Sequence, residues 1–381
     1  MKVLIFSTET GQGHNYASQA IVECCKERGI EAYLLDILNS GKKEKSKTVS
    51  KIYNWFVNNA PSIFGFMYHI GEIVSSNKHH SPIYWLNTLY VDSLYEQIEL
   101  HNPDAIICPH VFSAQAITRL IEKKGFNIPT VGLITDYTWS PFWEETKLDA
   151  YVVACKENIE DFTKKGMDRE KLFPYGIPVR KKFRTKHKKK DARTVFGITK
   201  EKVFVVAGGS MGYGKIPEMS AGLLEKMPDS QVIALCGNNQ ETLEKTKNIS
   251  GVIALPFIDN IDVLMDAADV LLSKPGGSFT TEAINKNIPF VITMPIPGGE
   301  VRNSDCLDKM GMTVSAHSVN EAVEVAYKLV TDSNARKEMI ASQKSHCNVN
   351  AAEDMINLVI KIIKEKKNEQ KEEYECLNAS T

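Results

Sequence analysis

Short apolar runs alternate with amphipathic stretches along this chain, and the alternation occurs in two blocks separated by a basic segment. Such runs are typical of strands buried on both faces of a parallel sheet, and the amphipathic stretches are typical of crossover helices. In the first block the runs are Val3–Phe6, Ala32–Leu35, Ala105–Cys108, Thr130–Ile134 and Tyr151–Ala154. In the second they are Val203–Ala207, Val232–Leu235, Val252–Leu255, Val270–Leu272 and Phe290–Thr293. The pattern predicts an α/β protein of two doubly wound, Rossmann-like domains that face each other across a cleft.

The domain boundaries are predicted from two charged segments. Residues 180–190 are densely basic, and the stretch after Lys364 is rich in both Lys and Glu. We expect an N-terminal domain over 1–178, a basic linker over 179–195 and a C-terminal domain over 196–364. We also expect the last helix to pack back on the N-terminal domain and residues 365–381 to form a charged, flexible tail. The basic linker is either solvated or in contact with an anionic lipid surface.

A glycine-rich corner follows the apolar run at 270–272. Its residues are Lys274, Pro275, Gly276, Gly277, Ser278, Phe279, Thr280, Thr281 and Glu282. Glycines allow close approach of a backbone to a ligand, and the first-turn amides of a helix bind phosphate. A carboxylate at Glu282 suits the hydroxyls of a ribose. The corner therefore favours a nucleotide site, and the alternative is a strand-to-helix turn that binds nothing.

Glycine-rich turns also follow the first strand of each block, at 7–15 and at 208–215. Neither turn matches the dinucleotide fingerprint, and Ile216 after Lys215 rules out a P-loop. An amide nest with a hydroxyl remains, which suits the diphosphate of a nucleotide sugar. The chain contains no Asp-x-Asp pair, which commonly holds a divalent ion on such a donor. We therefore expect no metal and no cofactor, with the charge of the leaving group stabilised by backbone amides and helix dipoles.

Composition limits the kinds of molecule that this protein is expected to bind. The net charge is −1 over 381 residues, so nucleic acid is not an implied partner. The eight cysteines are scattered and indicate reduced thiols in a cytosolic protein. No apolar run reaches the roughly 18 to 20 residues that a bilayer span requires, so we expect any membrane contact to be made from one side.

An aromatic insert lies between the second and third apolar runs of the first block. Its large side chains are Trp55, Phe56, Phe64, Phe66 and Met67. They fit either a buried helix pair or a surface hairpin that dips into the acyl boundary of a membrane.

Several motifs occur in the order found in one family. They are Gly-x-Gly-His14-Asn15, Thr135-Asp136-Tyr137, Gly176-Ile177-Pro178, the turn at 208–211, the corner at 274–282, Pro297-Gly298 with Glu300 and Asn303, and Asn350-Ala351. The chain thereby resembles the monogalactosyldiacylglycerol synthases and processive diacylglycerol glucosyltransferases, which are related to the glycosyltransferase that completes lipid II. The resemblance implies the two-domain GT-B fold. It also implies inverting transfer of a hexose, with glucose favoured and galactose possible, from a UDP-sugar to 1,2-diacylglycerol. The enzyme would be a cytoplasmic, peripheral protein on the inner face of the membrane.

Catalytic roles can be assigned on chemical grounds. An inverting transfer needs a base for the acceptor hydroxyl, and His14 at the end of the first strand is our candidate; the alternative is a residue that merely caps a helix. Asp136 is a second candidate for the base, or a structural cap. Gly13 and Asn15, with the aromatic insert, are assigned to the acceptor and membrane side.

The donor is assigned to the C-terminal domain. The candidate residues are Gly209, Ser210, Met211, Phe257, Ile258, Lys274, Gly276, Gly277, Ser278, Thr281, Glu282, Glu300 and Asn303. Ser210 and nearby amides would hold the diphosphate, and Glu282 the ribose. By resemblance, Phe257 and Ile258 would cover the uracil, unless Phe257 is an ordinary core aromatic. By resemblance, Glu300 and Asn303 would contact the sugar.

The chain departs from the family pattern at three positions. Gly299 stands where glutamine is usual, Arg302 where an acidic residue is frequent, and Ser140 where many members have histidine. The first departure leaves the identity of the hexose open, and the last weakens an argument for the acceptor that is based on the Thr135–Asp136 loop. Two alternatives also remain open: a different acceptor lipid, and a non-catalytic sensor that binds UDP-sugar.

Overall fold

Two parallel sheets form the framework of the computed structural model, which describes residues 1–8, 12–37, 80–81, 84–85 and 91–379. The N-lobe contains a six-stranded sheet of order β2-β1-β3-β4-β5-β6, and the C-lobe one of order β12-β11-β10-β7-β8-β9. The N-lobe strands are β1 (Lys2–Ser7), β2 (Glu31–Asp36), β3 (Ala105–Cys108), β4 (Thr130–Leu133), β5 (Ala150–Val152) and β6 (Leu172–Phe173). The C-lobe strands are β7 (Lys202–Ala207), β8 (Ser230–Leu235), β9 (Val252–Leu255), β10 (Val270–Ser273), β11 (Phe290–Thr293) and β12 (Val314–Ala316).

Helices cover both faces of each sheet. They are α1 (Gln12–Glu27), α2 (Val91–His101), α3 (Val111–Lys124), α4 (Ile159–Lys164), α5 (Lys181–Arg184), α6 (Lys189–Val195), α7 (Ile216–Lys226), α8 (Gln240–Lys247), α9 (Ile261–Ala267), α10 (Gly277–Asn285), α11 (Gly299–Lys309), α12 (Val319–Thr331), α13 (Ser333–His346) and α14 (Ala351–Ala379). None of the helices among the described residues is long and apolar enough to cross a membrane.

The α/β fold with two doubly wound sheets is confirmed, and every predicted apolar run forms a strand. The runs are continuous because central strands such as β3 and β10 are buried along their whole length. Two strands were not predicted, β6 and β12. Both lie at a sheet edge and are short, and Val314 of β12 is exposed, so neither has the apolar signature of a central strand.

The basic linker contains α5 and α6, and acidic residues pair with much of its charge. Lys181 Nζ lies 2.5 Å from Glu27 Oε1 of the N-lobe. Lys189 Nζ and Arg193 Nη2 lie 2.5 and 3.0 Å from the carboxylate of Asp269 in the C-lobe. The linker is therefore neither simply solvated nor available as a whole to an anionic surface, because its cations join it to both lobes.

The C-terminal helix α14 packs on the N-lobe. Met355, Ile356 and Val359 are fully buried in the cluster that also contains apolar residues of α1 and of the C-lobe. The segment expected to be a flexible tail instead continues this helix to Ala379. Its lysines are not merely solvated, since Lys366 Nζ lies 2.8 Å from Asp149 Oδ1 of the N-lobe.

Candidate active site

A cavity of about 480 Å³ lies at the seam between the two lobes, where strands of both sheets end. The loops that form it follow β1 and β4 of the N-lobe and the five strands β7 to β11 of the C-lobe, as expected for a ligand site of open α/β sheets. The N-lobe wall is formed by Gly13, His14, Tyr16, Gln19, Thr135 and Asp136. The C-lobe wall includes Gly209, Ser210, Met211, Phe257, Ile258, Lys274, Gly276, Gly277, Ser278, Glu282 and Glu300. Arg180, from the linker, lines the same cavity.

The loop after β7 presents backbone amides to the cavity. Gly209 and Gly212 have φ values of 69° and 61°, which favour glycine. A Cβ atom on Gly212 would lie 2.1 Å from the Cys236 carbonyl oxygen, so the loop packs tightly against the end of β8. The amides of Gly209, Ser210 and Met211 have no hydrogen-bond acceptor among the described residues. They are therefore available to an anion.

Helix α10 begins at the cavity, and no side chain caps its first turn within the described part of the chain. Its first amides and its dipole favour a phosphate. The sequence did not predict that Gly277 lies against the N-lobe. A Cβ atom at this position would lie 1.8 Å from the carbonyl oxygen of Thr135. The glycine allows the two lobes to touch, whereas Gly276 faces open space. Ser278 Oγ also donates to the Gly13 carbonyl oxygen across the seam, at 2.7 Å.

Glu282, the predicted ribose ligand, is only 2% exposed but reaches the cavity wall. Arg180 donates to its Oε1 atom from Nε at 3.2 Å and from Nη2 at 2.8 Å. Burial raises the pKa of Glu282 to about 7, although the charge of Arg180 opposes this shift. The pair was not predicted, because it joins residues about a hundred positions apart.

The remaining C-lobe wall is mixed in character. Phe257 is 45% exposed, so it is not a core aromatic and is free to cover a planar ligand. Lys274 Nζ donates to Glu300 Oε1 at 2.7 Å, and Glu300 Oε2 accepts from the Ile296 amide at 2.9 Å. Glu300 is thus held in place by its own lobe before any sugar is bound.

His14 is the central side chain of the N-lobe wall. Its Nδ1 atom lies 3.0 Å from the Pro109 carbonyl oxygen and 2.8 Å from Thr135 Oγ1. Because a carbonyl oxygen only accepts, the proton belongs on Nδ1, and Nε2 keeps a lone pair. Burial lowers the pKa of His14, while Asp136 and the Pro109 hydrogen bond oppose that shift. The ring is therefore neutral at neutral pH, as a base must be.

Asp136 is held from both lobes. Its Oδ2 atom accepts from Ser140 Oγ at 3.0 Å, and its Oδ1 atom accepts from Nδ2 of Asn303, on α11 of the C-lobe, at 3.0 Å. Since both oxygens are engaged, the geometry favours His14 over Asp136 as the proton acceptor. The charge of Asp136 raises the pKa of His14, so it would favour an imidazolium at that ring.

Some predicted residues lie outside the cavity. Asn303 is fully buried, and its Oδ1 atom accepts from the Tyr137 amide at 2.8 Å, so it joins the lobes rather than lining the cavity. Thr281 Oγ1 lies 2.8 Å from the Tyr137 hydroxyl, also across the seam. Asn15 Oδ1 accepts from Ser7 Oγ at 2.6 Å. Trp55, Phe56, Phe64, Phe66 and Met67 lie outside the described residues, so their assignment stays a prediction.

Two family models match this chain. The monogalactosyldiacylglycerol synthase model matches residues 14–179, and the C-terminal domain model of glycosyltransferase family 28 matches residues 203–359. The processive diacylglycerol β-glucosyltransferase of Bacillus pumilus is 26% identical over 369 residues, which covers 93% of this chain and 94% of that protein.

The chain belongs to the monogalactosyldiacylglycerol synthase and processive diacylglycerol glucosyltransferase family. The resemblance read from the motifs is confirmed. The first model matches the N-lobe and the second matches the C-lobe. The two walls of the cavity therefore come from two different matched domains.

Solved structures agree on the fold of this family member. MurG of Acinetobacter baumannii superposes with a TM-score of 0.61 at 15% identity, covering 94% of this chain and 99% of that one. A UDP-GlcNAc 2-epimerase of Neisseria meningitidis, solved bound to UDP-GlcNAc, has a TM-score of 0.61 at 15% identity, covering 95% of this chain and 100% of that one. The expected GT-B architecture is thereby confirmed.

Proposed function

We propose that this protein is an inverting glycosyltransferase that moves a hexose, with glucose favoured, from a UDP-sugar to 1,2-diacylglycerol. Family membership supports the reaction class, and the name of the Bacillus pumilus relative supports glucose and diacylglycerol. The cavity supports a nucleotide-sugar donor because it combines anion-binding amides, an exposed aromatic ring and a carboxylate.

On the donor side, the diphosphate would lie against the amides at 209–211 and the first turn of α10. Phe257 would cover the uracil, and Glu282 would accept from ribose hydroxyls. The pair of Lys274 and Glu300 would face the hexose. The amides and helix dipole would stabilise the leaving diphosphate, so we propose that the reaction requires no divalent ion.

On the acceptor side, His14 Nε2 would take the proton of the lipid hydroxyl. The hydroxyl oxygen then forms a bond to C1 of the sugar, while the bond from C1 to the phosphate oxygen breaks and its electron pair leaves with UDP. Attack on the face opposite the diphosphate gives a β-linked product. Asp136 would stabilise the imidazolium formed at His14.

One observation carries this proposal: a histidine whose Nδ1–H is fixed by Pro109 lies in the same cavity as the uncapped amides and Glu282. A base and a nucleotide site in one cavity are what a transferase needs, whereas a sensor needs only the second. We further propose that the enzyme works on the membrane from one side, as a peripheral protein at the cytoplasmic face, because diacylglycerol stays in the bilayer.

The test is transfer of radioactive sugar from UDP-glucose to vesicles that contain diacylglycerol, read as label in the organic phase. Parallel reactions with UDP-galactose, and with vesicles that carry ceramide in place of diacylglycerol, identify the hexose and the lipid. UDP binding without labelled lipid from any of these mixtures would favour the sensor and contradict the proposal.

A further inference from the structure

Arg180 lies where the two lobes and the linker meet, immediately before α5. It is only 14% exposed and contacts both walls of the cavity. On one side its guanidinium carbon lies 4.2 Å from the centre of the Tyr16 ring on α1, two residues after His14. On the other side it donates two hydrogen bonds to Glu282 of α10. Within the described part of the chain, no other linker cation lines this cavity.

The two bonds from Arg180 engage a single oxygen of Glu282. Both fall on Oε1, and Oε2 has no hydrogen-bond partner among the described residues. A carboxylate fixed through one oxygen presents the other in a defined direction. Oε2 is therefore the oxygen of this carboxylate that remains free to accept from the hydroxyls of a ribose.

On balance, the surroundings of Glu282 favour the neutral, protonated form of its carboxyl group. Burial is the largest influence on its pKa and raises it, and Asp262 adds to the rise. Arg180 and, more weakly, Lys182 lower it. Lys182 is itself paired with Asp262, with Nζ and Oδ1 3.6 Å apart. Arg180 is therefore the principal cation that favours the ionised form of Glu282, whose pKa of about 7 leaves it partly ionised at neutral pH.

We propose that Arg180 is a positioning residue for the transfer reaction: it holds Glu282 with Oε2 turned to the ribose hydroxyls of the donor, and the Tyr16 ring holds its guanidinium in place. This inference rests on the proposed function for the nature of the donor. It adds a role for the linker, which supplies a side chain to a site otherwise built by the two lobes.

Removal of the guanidinium should weaken donor binding in a way that depends on pH. In Arg180→Met the pKa of Glu282 rises further, so more of the carboxyl is protonated at neutral pH and its acceptor capacity falls. Affinity for UDP-glucose should then drop roughly tenfold near pH 7, the usual scale for a lost charge-assisted hydrogen bond. The loss should shrink as the pH rises, because Glu282 ionises again.

The experiment is calorimetric titration of the full chain with UDP-glucose, without acceptor lipid, from about pH 6 to about pH 8, a range in which the donor does not titrate. Arg180→Lys keeps the charge and should recover part of the affinity. Arg184→Met is the matched control, because Arg184 belongs to the same linker and pairs with Glu353, outside the cavity.

The outcomes separate this inference from the proposed function. A pH-dependent loss in Arg180→Met that is absent from Arg184→Met supports it. Wild-type affinity in Arg180→Met, or a loss equal at every pH and shared with Arg184→Met, overturns it. If Arg180→Met fails to fold, Arg180→Lys decides. Lysine keeps the charge but cannot donate from two nitrogens to Glu282, so this variant should still show an intermediate loss of affinity for UDP-glucose. A wild-type chain that binds no UDP-glucose would contradict the proposed function itself.

Discussion

The two walls of the cavity are built in different ways. The C-lobe wall offers groups that still lack partners among the described residues, namely the amides at 209–211 and Oε2 of Glu282. On the N-lobe wall, by contrast, Nδ1 of His14 and both oxygens of Asp136 are already hydrogen-bonded. Under the proposed function, this difference fits a C-lobe wall that binds the donor and an N-lobe wall whose groups are held for proton transfer at Nε2 of His14.

The largest expected effect comes from the N-lobe wall. His14→Ala removes the proposed base and should lower kcat by about 10²–10⁴-fold, while UDP affinity stays unchanged. His101→Ala, at the end of α2 and outside the cavity, is the control. Because burial lowers the pKa of His14, kcat of the wild type at saturating donor should persist below the ordinary histidine range as the pH falls. Near-normal turnover in His14→Ala would place the base elsewhere.

The next effect tests whether the walls must touch. In Gly277→Ala the added methyl group would meet the Thr135 carbonyl oxygen, so the lobes could not close as they do here. A displacement of about 1 Å can cost about 10²-fold in rate, and we expect kcat to fall on that scale. Gly276→Ala adds the same methyl group where no atom lies within 4 Å and should affect kcat much less. Equal kcat values for the two variants would mean that the contact is irrelevant to turnover.

A smaller effect is expected from the C-lobe wall alone. Glu282→Ala should weaken UDP binding by about 1–3 kcal/mol, the usual cost of losing a hydrogen bond to a charged group. Calorimetric titration with UDP measures this change. The control is Glu353→Ala, which breaks the other arginine–glutamate pair of the linker outside the cavity. If both variants bind UDP equally well, Glu282 is not a donor ligand.

The smallest expected effect concerns divalent ions. If amides stabilise the diphosphate, transfer activity should be unchanged in EDTA. The assay is sugar transfer to detergent-dispersed diacylglycerol, which avoids effects of magnesium on lipid packing. Activity that is lost in EDTA and restored by magnesium or manganese would mean that backbone amides alone do not stabilise the diphosphate.

The sequence predicted the strands and the glycine corners because their signals are local. An apolar run such as Val203–Ala207 and a glycine-rich corner such as 274–282 can each be recognised from a few consecutive residues. The contacts across the seam have no local signal. The closeness of Gly277 to Thr135, the bond from Asn303 to Asp136 and the pair of Arg180 with Glu282 join residues more than a hundred positions apart.

For the same reason, Asn303 and Thr281 were expected in the donor site, although the structure places them in the seam. Their positions beside true cavity residues were visible in the sequence, but the direction of each side chain was not. Arg180 illustrates the reverse case. It was counted with a charged block, and only the packing of α1 and α10 around it distinguishes it from Arg184.

The hydrogen bond from Asn303 to Asp136 makes the surroundings of His14 depend on how the two lobes are placed. Asp136 keeps this partner only while the lobes are together, since Asn303 belongs to α11 of the C-lobe. If the lobes parted to exchange UDP for a new donor, the carboxylate beside His14 would lose this partner, and water would enter the space between the walls. In an open molecule His14 would keep its hydrogen bond to Pro109 but would lack a carboxylate held from both lobes, so stabilisation of its imidazolium would be complete only when the donor and the lipid hydroxyl are enclosed together.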